Sequence, residues 1–293
     1  MSQHVTWPVW IALYLYLAGV SGGAFAASTA TSFLGDRYRN VARWGAYIAP
    51  WPVLIGTAML IFDLGSPMKF WLLFVKLNPR SVMSMGALIL TAFGAIAVIY
   101  FWHQLFIEKK VKFTLLNDTL VKVIRFLGIP LVVGIGTYTG FLLNASVAIP
   151  MWNNGVLPLI FLASALSTGV AAVMVGVAVT GKWDDVKHEV KNLAIADAVL
   201  IGLELFALAA FVWSLHVGNL KQQAALDYLN SHYGLWFWGG VWAVGLLLPL
   251  GIKVFTKGET AAKAALNGSL VLFGGLVLRW VIVIAGQMAT PLY

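Results

Sequence analysis

Long apolar runs separated by short polar stretches dominate the hydrophobicity pattern of this chain. Eight runs have the roughly 20 residues that an α-helix needs to cross about 30 Å of hydrocarbon. They cover about 8–34, 45–62, 82–106, 122–147, 156–180, 194–217, 234–255 and 267–288. These runs do not alternate apolar and polar residues with a period of two, which disfavours a lipid-facing β-barrel. The pattern therefore predicts an all-α integral membrane protein with eight transmembrane helices.

Composition agrees, because 60% of the residues are hydrophobic and only 10% are charged, too few to cover a soluble globule. The longest polar connections, at about 107–121, 181–193 and 218–233, are too short to fold alone. We therefore expect residues 1–293 to form a single membrane domain. Residues 1–7 carry no Lys or Arg, so the positive flank of a secretory signal is missing and we expect the first helix to be retained.

The net charge of +8 does not indicate a nucleic-acid partner, because the cations are sorted along the chain. Fourteen Lys and Arg residues lie in or beside the connections after the first, third, fifth and seventh segments. The opposite side has four, namely Lys69, Lys76, Arg80 and Lys221. The positive-inside rule then predicts an inner-membrane protein whose two termini face the periplasmic, outer side.

Cofactor ligands are scarce in this sequence. It has no cysteine, which removes disulfides and protein-held iron–sulfur clusters. A haem between helices needs axial ligands at matching depth, and the five histidines all fall near helix ends. They are His4, His103, His188, His216 and His232. We expect neither haem nor an iron–sulfur cluster in this chain.

Asp197, Glu204 and Arg279 are ionisable residues inside the apolar segments, where a charge is costly and rarely faces lipid. Glu204 in the sixth segment and Arg279 in the eighth are expected at similar depths near the midplane. Asp197 precedes Glu204 by two helical turns on the same face. Two interpretations stay open: a structural ion pair between Glu204 and Arg279, or a proton pathway through Asp197, Glu204 and Arg279.

Polar side chains also gather in the outer third of the predicted bundle. They are Tyr14, Tyr16, Asp63, Tyr138, Asn144 and Gln287. Taken singly, each tyrosine is more typical of an interfacial anchor or a helix–helix hydrogen bond. Together they supply the donors and acceptors that a buried carbonyl ring would need.

The outer connection at 64–80 is unusually aromatic. Gly65 and Pro67 suit a helix stop, and the following segment is too short to span the membrane but suited to lie in its interface. This segment carries Lys69, Phe70, Trp71 and Lys76, and Arg80 follows. We interpret 64–80 as a surface on which a partner protein docks.

Residues 17–24 weakly resemble residues 162–169. Each stretch lies in a helix rich in small residues that is the first helix of one four-helix half. This repeat, the Glu204 and Arg279 pair and the glycines Gly134, Gly136 and Gly140 are compatible with an alternative function, a secondary transporter of a small solute or ion.

Several motifs in chain order resemble the NrfD/polysulfide-reductase (PsrC-like) membrane subunit family. They are 14–19 (YLYLAG) with 22–24 (GGA), 63–67 (DLGSP) with Phe70 and Trp71, 81–86 (SVMSMG), 138–143 (YTGFLL), 150–152 (PMW), 157–158 (LP), 279–281 (RWV) and 285–287 (AGQ). The resemblance covers nearly the whole chain.

This resemblance implies an eight-helix, haem-free anchor that binds menaquinone or ubiquinone. It further implies a periplasmic four-cluster iron–sulfur subunit as partner, which in turn carries a molybdopterin catalytic subunit that selects the terminal substrate. By this resemblance, Tyr138 is the best match to a family tyrosine that hydrogen-bonds a quinone carbonyl, and Tyr14, Tyr16 and Asp63 are further candidates for contact with the headgroup. The chain itself is expected to oxidise quinol or reduce quinone, not to act on the terminal substrate.

Overall fold

The computed structural model describes residues 7–63, 67–75, 78–108, 118–255, 258 and 260–289. Within these ranges it has eight helical spans that are long and apolar enough to cross a membrane, which confirms the predicted count. Each predicted segment overlaps one span. The fold is therefore that of a multi-pass helical membrane protein.

The described residues form eleven α-helices and one π-helix, and all of these except the short helix α4 belong to the eight spans. Their bounds are α1 Val9–Phe33, α2 Arg39–Ile48, α3 Pro50–Asp63, α4 Leu72–Val75, α5 Val82–Glu108, α6 Asp118–Asn144, α7 Leu157–Thr180, α8 Trp183–His216, α9 Leu220–Gly234, the π-helix Leu235–Leu247, α10 Leu248–Phe255 and α11 Ala261–Met288. The second span consists of α2 and α3, and the seventh consists of α9, the π-helix and α10. We call the end of the bundle where α1 begins and α11 ends the terminal side, and the opposite end the basic side.

The helices α1 and α7 form the centre of the bundle and are its most buried spans together with α11. They are the two helices that contain the weakly similar stretches 17–24 and 162–169, and their small residues permit close packing. A Cβ added to Gly23 would meet the backbone of Ala165 and Gly169, so no larger residue fits at this crossing. The small-residue pattern thus places α1 and α7 in backbone contact and joins the two halves of the chain.

Helices extend into two of the stretches that the sequence marks as polar connections. The helix α8 already begins at Trp183, and α9 covers Leu220–Gly234. Asn219 begins α9 with a capping box, in which its side chain and that of Gln222 each accept a backbone N–H of the other residue. Hydropathy indicates only where the apolar part of a span begins. Both helices extend beyond that boundary through helical turns made of polar residues.

A buried acidic residue ties the two halves together on the basic side. The Glu189 carboxylate of α8 accepts the Val41 N–H at 3.0 Å and the Asn40 side-chain amide at 2.8 Å. These donors lie in the first turn of α2, where backbone N–H groups have no helical partner and a negative charge is favourable. Glu189 therefore acts as a cap supplied by a distant helix.

Candidate functional site

Tyr14 of α1 and Tyr138 of α6 meet in the terminal half of the bundle. Both side chains are buried, and their hydroxyl groups lie close enough to interact with each other. Asp63, the last residue of α3, interacts electrostatically with Tyr14. The Tyr138 ring lies against Gly86 of α5, where any Cβ would overlap the ring. We call Tyr14, Tyr138 and Asp63 the tyrosine site; three of the predicted polar residues converge here.

An exposed aromatic surface follows Asp63 along the chain. Lys69, Phe70 and Trp71 are all exposed, the two rings by 40% and 50%. Arg80 is exposed as well, and its backbone N–H donates to the Asn78 side chain at 3.0 Å. Lys76 and residues 64–66 lie outside the residues that the structure describes. The described part of the predicted docking segment therefore lies open on the terminal side, and its role stays a prediction.

Three of the predicted polar residues do not join the tyrosine site. Gln287 hydrogen-bonds to the backbone of Trp7. Its side-chain oxygen accepts the Trp7 N–H at 2.7 Å, and its side-chain nitrogen donates to the Trp7 carbonyl at 2.9 Å. Tyr16 lies on another face of α1, with its ring centroid 5.8 Å from the Arg279 guanidinium. Asn144 is the last residue of α6 and is half-buried. Residues that are predicted at the same depth in the membrane therefore do not all face the same site.

The guanidinium of Arg279 is fully buried between α1, α7 and α11. It donates to the Ser164 hydroxyl at 2.9 Å and to the Gly275 carbonyl at 3.0 Å. The Glu204 carboxylate interacts electrostatically with Arg279 and through a side-chain hydrogen bond with Ser164. Ser164 therefore lies between the two charges, and the hydrogen bonds described for Arg279 go to this hydroxyl and to carbonyls.

Asp197 has an ionic partner that sequence reasoning missed. Its carboxylate pairs with Lys253 of α10 at 2.5 Å and accepts the Ser167 hydroxyl at 2.7 Å. The side chains of Asp197 and Lys253 are only 0% and 7% exposed. Lys253 is one of the fourteen cations that the sequence places in or beside the basic connections, whereas its side chain turns inward to a buried carboxylate. Because Asp197 lies in α8 and Lys253 in α10, the pair becomes visible only when the packing of these two helices is known.

A cavity of 520 Å³ opens beside this ion pair. Lys253 and Lys191 line it together with aliphatic residues of α8 such as Ala194 and Ala198. Glu204 lies two turns further along α8 and interacts electrostatically with Asp197. A row of buried polar groups therefore leads from the cavity through Lys253, Asp197, Glu204 and Ser164 to Arg279.

The glycines that suggested a transporter serve a different purpose. Transporter sites use helices that break near the midplane, but α6 continues as a helix through Gly134, Gly136 and Gly140. A Cβ at Gly136 would press on Leu162, and one at Gly140 on the backbone of Pro158. These glycines allow α6 to approach its neighbours, so the feature that favoured a transporter is absent from this helix.

No group of three or more His, Asp or Glu side chains that could hold a metal ion occurs in the part of the chain that the structure describes. The polar groups described above in the bundle interior are the hydroxyls of Tyr14 and Tyr138, the carboxylates of Asp197 and Glu204, and the cations Lys253 and Arg279.

In a comparison with known protein families, residues 1–291 of this chain match the family described as Polysulphide reductase, NrfD. The sequence is 33% identical to the C component of polysulfide reductase from Wolinella succinogenes, over 96% of this chain and 93% of that protein. It is 32% identical to a protein NrfD homolog of Haemophilus influenzae, over 98% and 96% of the two proteins. It is also 25% identical to the C component of selenate reductase from Mesobacillus selenatarsenatis, over 99% of this chain and 76% of that protein.

Proposed function

From the premise that this chain belongs to the NrfD polysulphide reductase family, as a membrane subunit of a reductase complex, we propose that it binds menaquinone or ubiquinone and exchanges electrons with a partner subunit. The observation that carries the proposal is the buried pair Tyr14 and Tyr138 beside an exposed docking segment. In this proposal residues 1–293 act as one membrane domain. The quinone supplies the two-electron, two-proton chemistry, and the chain supplies position and protons.

The tyrosine site fits a quinone headgroup in its chemistry. A quinone carbonyl needs a hydrogen-bond donor in an apolar environment, and the Tyr138 hydroxyl supplies one. Its ring is held by Gly86 on one side, which limits the directions in which the hydroxyl can point. The Asp63 carboxylate, at the exposed end of α3, interacts electrostatically with Tyr14. We assign Tyr138 as the main ligand, with Tyr14 and Asp63 supporting it.

The segment from Lys69 to Arg80 forms the docking surface for an iron–sulfur subunit in this proposal. Exposed Phe70 and Trp71 supply the large apolar contacts that are typical of interface centres, and the cations supply steering. The surface directly follows the helix that ends at Asp63, so a cluster in the partner would lie close to the quinone. The sorting of cations to the basic side favours an outward, periplasmic orientation of this surface.

The buried polar row supports a proton pathway between the basic side and the bundle centre. Lys253 and Asp197 connect the pathway to the cavity, and Glu204, Ser164 and Arg279 continue it inward. Buried ionisable groups in a membrane are costly unless they are paired or functional, and the hydrogen bond described for Glu204 goes to a hydroxyl. This pathway would supply protons from the side opposite to the docking surface.

Replacement of Tyr138 by phenylalanine tests the quinone site. The hydroxyl makes no backbone hydrogen bond among the described residues, so Tyr138→Phe should leave the complex assembled. We expect quinol-linked turnover to fall while turnover with an artificial electron donor to the partner subunits is unchanged. Tyr228→Phe in α9, remote from the site, is the matched control. Unchanged quinol kinetics in Tyr138→Phe would move the quinone site elsewhere.

Charge reversal tests the docking surface separately. Lys69→Glu should weaken association with the partner subunit more at low than at high ionic strength, because salt screens exposed charges. Lys221→Glu reverses an exposed cation of α9 on the same side of the bundle and is the control. Equal effects of the two substitutions would contradict a specific docking role.

A further inference from the structure

The cavity beside the Asp197–Lys253 pair has a side that faces lipid. Its volume of 520 Å³ lies within the roughly 300–1,000 Å³ that is usual for small-molecule sites. Its lining residues Ile195, Val199 and Val254 are 56%, 60% and 68% exposed and belong to membrane spans, so the cavity opens towards hydrocarbon. An occupant of this cavity therefore needs an apolar part that can lie in the membrane.

The basic end of this cavity is positively charged. Gly258 lines this end just beyond the seventh span, and its carbonyl accepts the Lys263 ammonium at 3.1 Å. The ammonium group of Lys253 is balanced by Asp197. Lys191, which is exposed and also lines the cavity, has no ionic partner among the described residues. The described walls therefore carry a net positive charge that favours an anionic group at this end.

Deeper in the cavity, Lys253 has hydrogen-bond donors to spare. An ammonium group carries three donors, and within the described part of the chain it bonds only to Asp197, at 2.5 Å. The Lys253 side chain is only 7% exposed, and buried donors are nearly always paired. Because Asp197 already neutralises the charge, an uncharged acceptor such as a carbonyl oxygen would complete the set of hydrogen bonds.

We propose that this cavity binds an anionic phospholipid such as phosphatidylglycerol, with its phosphate at Lys191, an ester carbonyl at Lys253 and an acyl chain along Val199. Lys191 precedes Asp197 by six residues in α8, so it lies about 9 Å nearer the basic side along the helix axis. The groups of a phospholipid follow the same order, since the phosphate lies outermost, the ester carbonyls beneath it and the acyl chains innermost. The site lies at the mouth of the proposed proton pathway but does not depend on quinone binding.

Charge and apolar surface together select this ligand over other membrane components. A zwitterionic phospholipid carries a cation of its own and leaves the charge of Lys191 uncompensated. A quinone has carbonyl groups but no anionic group, and inorganic phosphate has no apolar part to cover Val199 and Val254. Basic pockets between transmembrane helices are suited to the headgroups of anionic lipids.

Substitutions at two positions test the two ends of the bound lipid. Lys191→Met removes the cation at the rim, and Lys191→Arg keeps it. Lys187→Met is the matched control, because Lys187 lies one turn away on α8 and pairs with Asp184 at 3.3 Å. Val199→Trp fills the open side of the cavity at an exposed position, so the fold should tolerate it. Val123→Trp, at a 46% exposed position of α6, is the control for bulk.

The experiment uses the assembled complex in phosphatidylcholine nanodiscs that contain a small fraction of phosphatidylglycerol with a photoreactive acyl chain. Labelled peptides are mapped by mass spectrometry and compared with those from a phosphatidylcholine probe that has the same acyl chain. We expect the phosphatidylglycerol probe to label 194–199 more strongly. Lys191→Met should lower this preference about 5-fold, the usual worth of one cation beside an anionic lipid, whereas Lys191→Arg and Lys187→Met should retain it. Val199→Trp should remove the label from this segment, and Val123→Trp should not.

The opposite results would overturn the site. Equal labelling of 194–199 by the two probes would show that the cavity contacts lipid without selecting charge. Equal losses in Lys191→Met and Lys187→Met would show that only the general surface charge matters. Label that Val199→Trp leaves unchanged would place the lipid outside the cavity. The quinone site at Tyr138 would stand in each case, because this assay measures no quinone binding.

Discussion

The buried ion pair between Asp197 and Lys253 makes an asymmetric prediction about stability. Lys253→Met leaves the Asp197 carboxylate at a position that is 0% exposed, with only the Ser167 hydroxyl as partner among the described contacts. Removing one partner of a buried pair typically costs about 3–5 kcal/mol, because the remaining charge is uncompensated. We therefore expect Lys253→Met to lower the free energy of unfolding by about that amount.

The reverse substitution should cost less. In Asp197→Asn the ammonium group of Lys253 remains, but its flexible stem already lines the 520 Å³ cavity. The ammonium group can then turn towards water, as long cationic side chains commonly do. The loss is limited to one charged hydrogen bond, about 1.5–3 kcal/mol. In the double variant the charges are absent together, so its cost should be clearly smaller than the sum of the two.

Unfolding of the four purified proteins in one detergent, followed by tryptophan fluorescence, gives this cycle. Lys191→Met changes an exposed lysine of the same cavity and should shift stability by no more than about 0.5 kcal/mol. If Asp197→Asn proved more damaging than Lys253→Met, or if the two effects simply added, the assignment of a coupled buried pair beside this cavity would be wrong.

Three further substitutions test the packing and the helix ends. Gly23→Val should prevent recovery of monodisperse protein in size-exclusion chromatography, because the α7 backbone leaves no room for a Cβ, whereas Gly94→Val, with open space around it, should be tolerated. Gln287→Leu removes two hydrogen bonds to Trp7 and should speed proteolysis or hydrogen exchange of the N-terminal segment, while Gln287→Glu, which keeps the acceptor, should have a smaller effect. Asn219→Ala should cost about 1 kcal/mol in thermal unfolding through loss of the α9 cap, and Asn219→Asp should retain most of it.

The sequence predicted the spans well because their apolar length is dictated by the membrane itself. It predicted poorly where a helix continues into water, as Trp183 and Leu220 illustrate, since polar residues there form helix without any hydrophobic signal. The π-helix Leu235–Leu247 was not predicted either. Its i→i+5 hydrogen bonding has no compositional signature comparable to the apolar period of an α-helix.

The candidate site was predictable in depth but not in orientation. Tyr14 interacts with Tyr138 and with Asp63, whereas Tyr16 and Gln287 at similar depth turn to other partners. Rotation of a helix about its axis depends on packing against neighbours, which a single sequence does not reveal for helices that are apolar on every face. For the same reason, the sequence places Lys253 among the cations of a connection and does not reveal its pairing with Asp197.

The most direct test of the quinone-site assignment is a density map of the assembled complex purified with its native quinone. The assignment predicts a planar ring within hydrogen-bonding distance of the Tyr138 hydroxyl, with Phe70 and Trp71 covered by the partner subunit on the same side of the membrane. A ring bound only at the basic side, or a partner subunit that leaves those two aromatic residues bare, would contradict it.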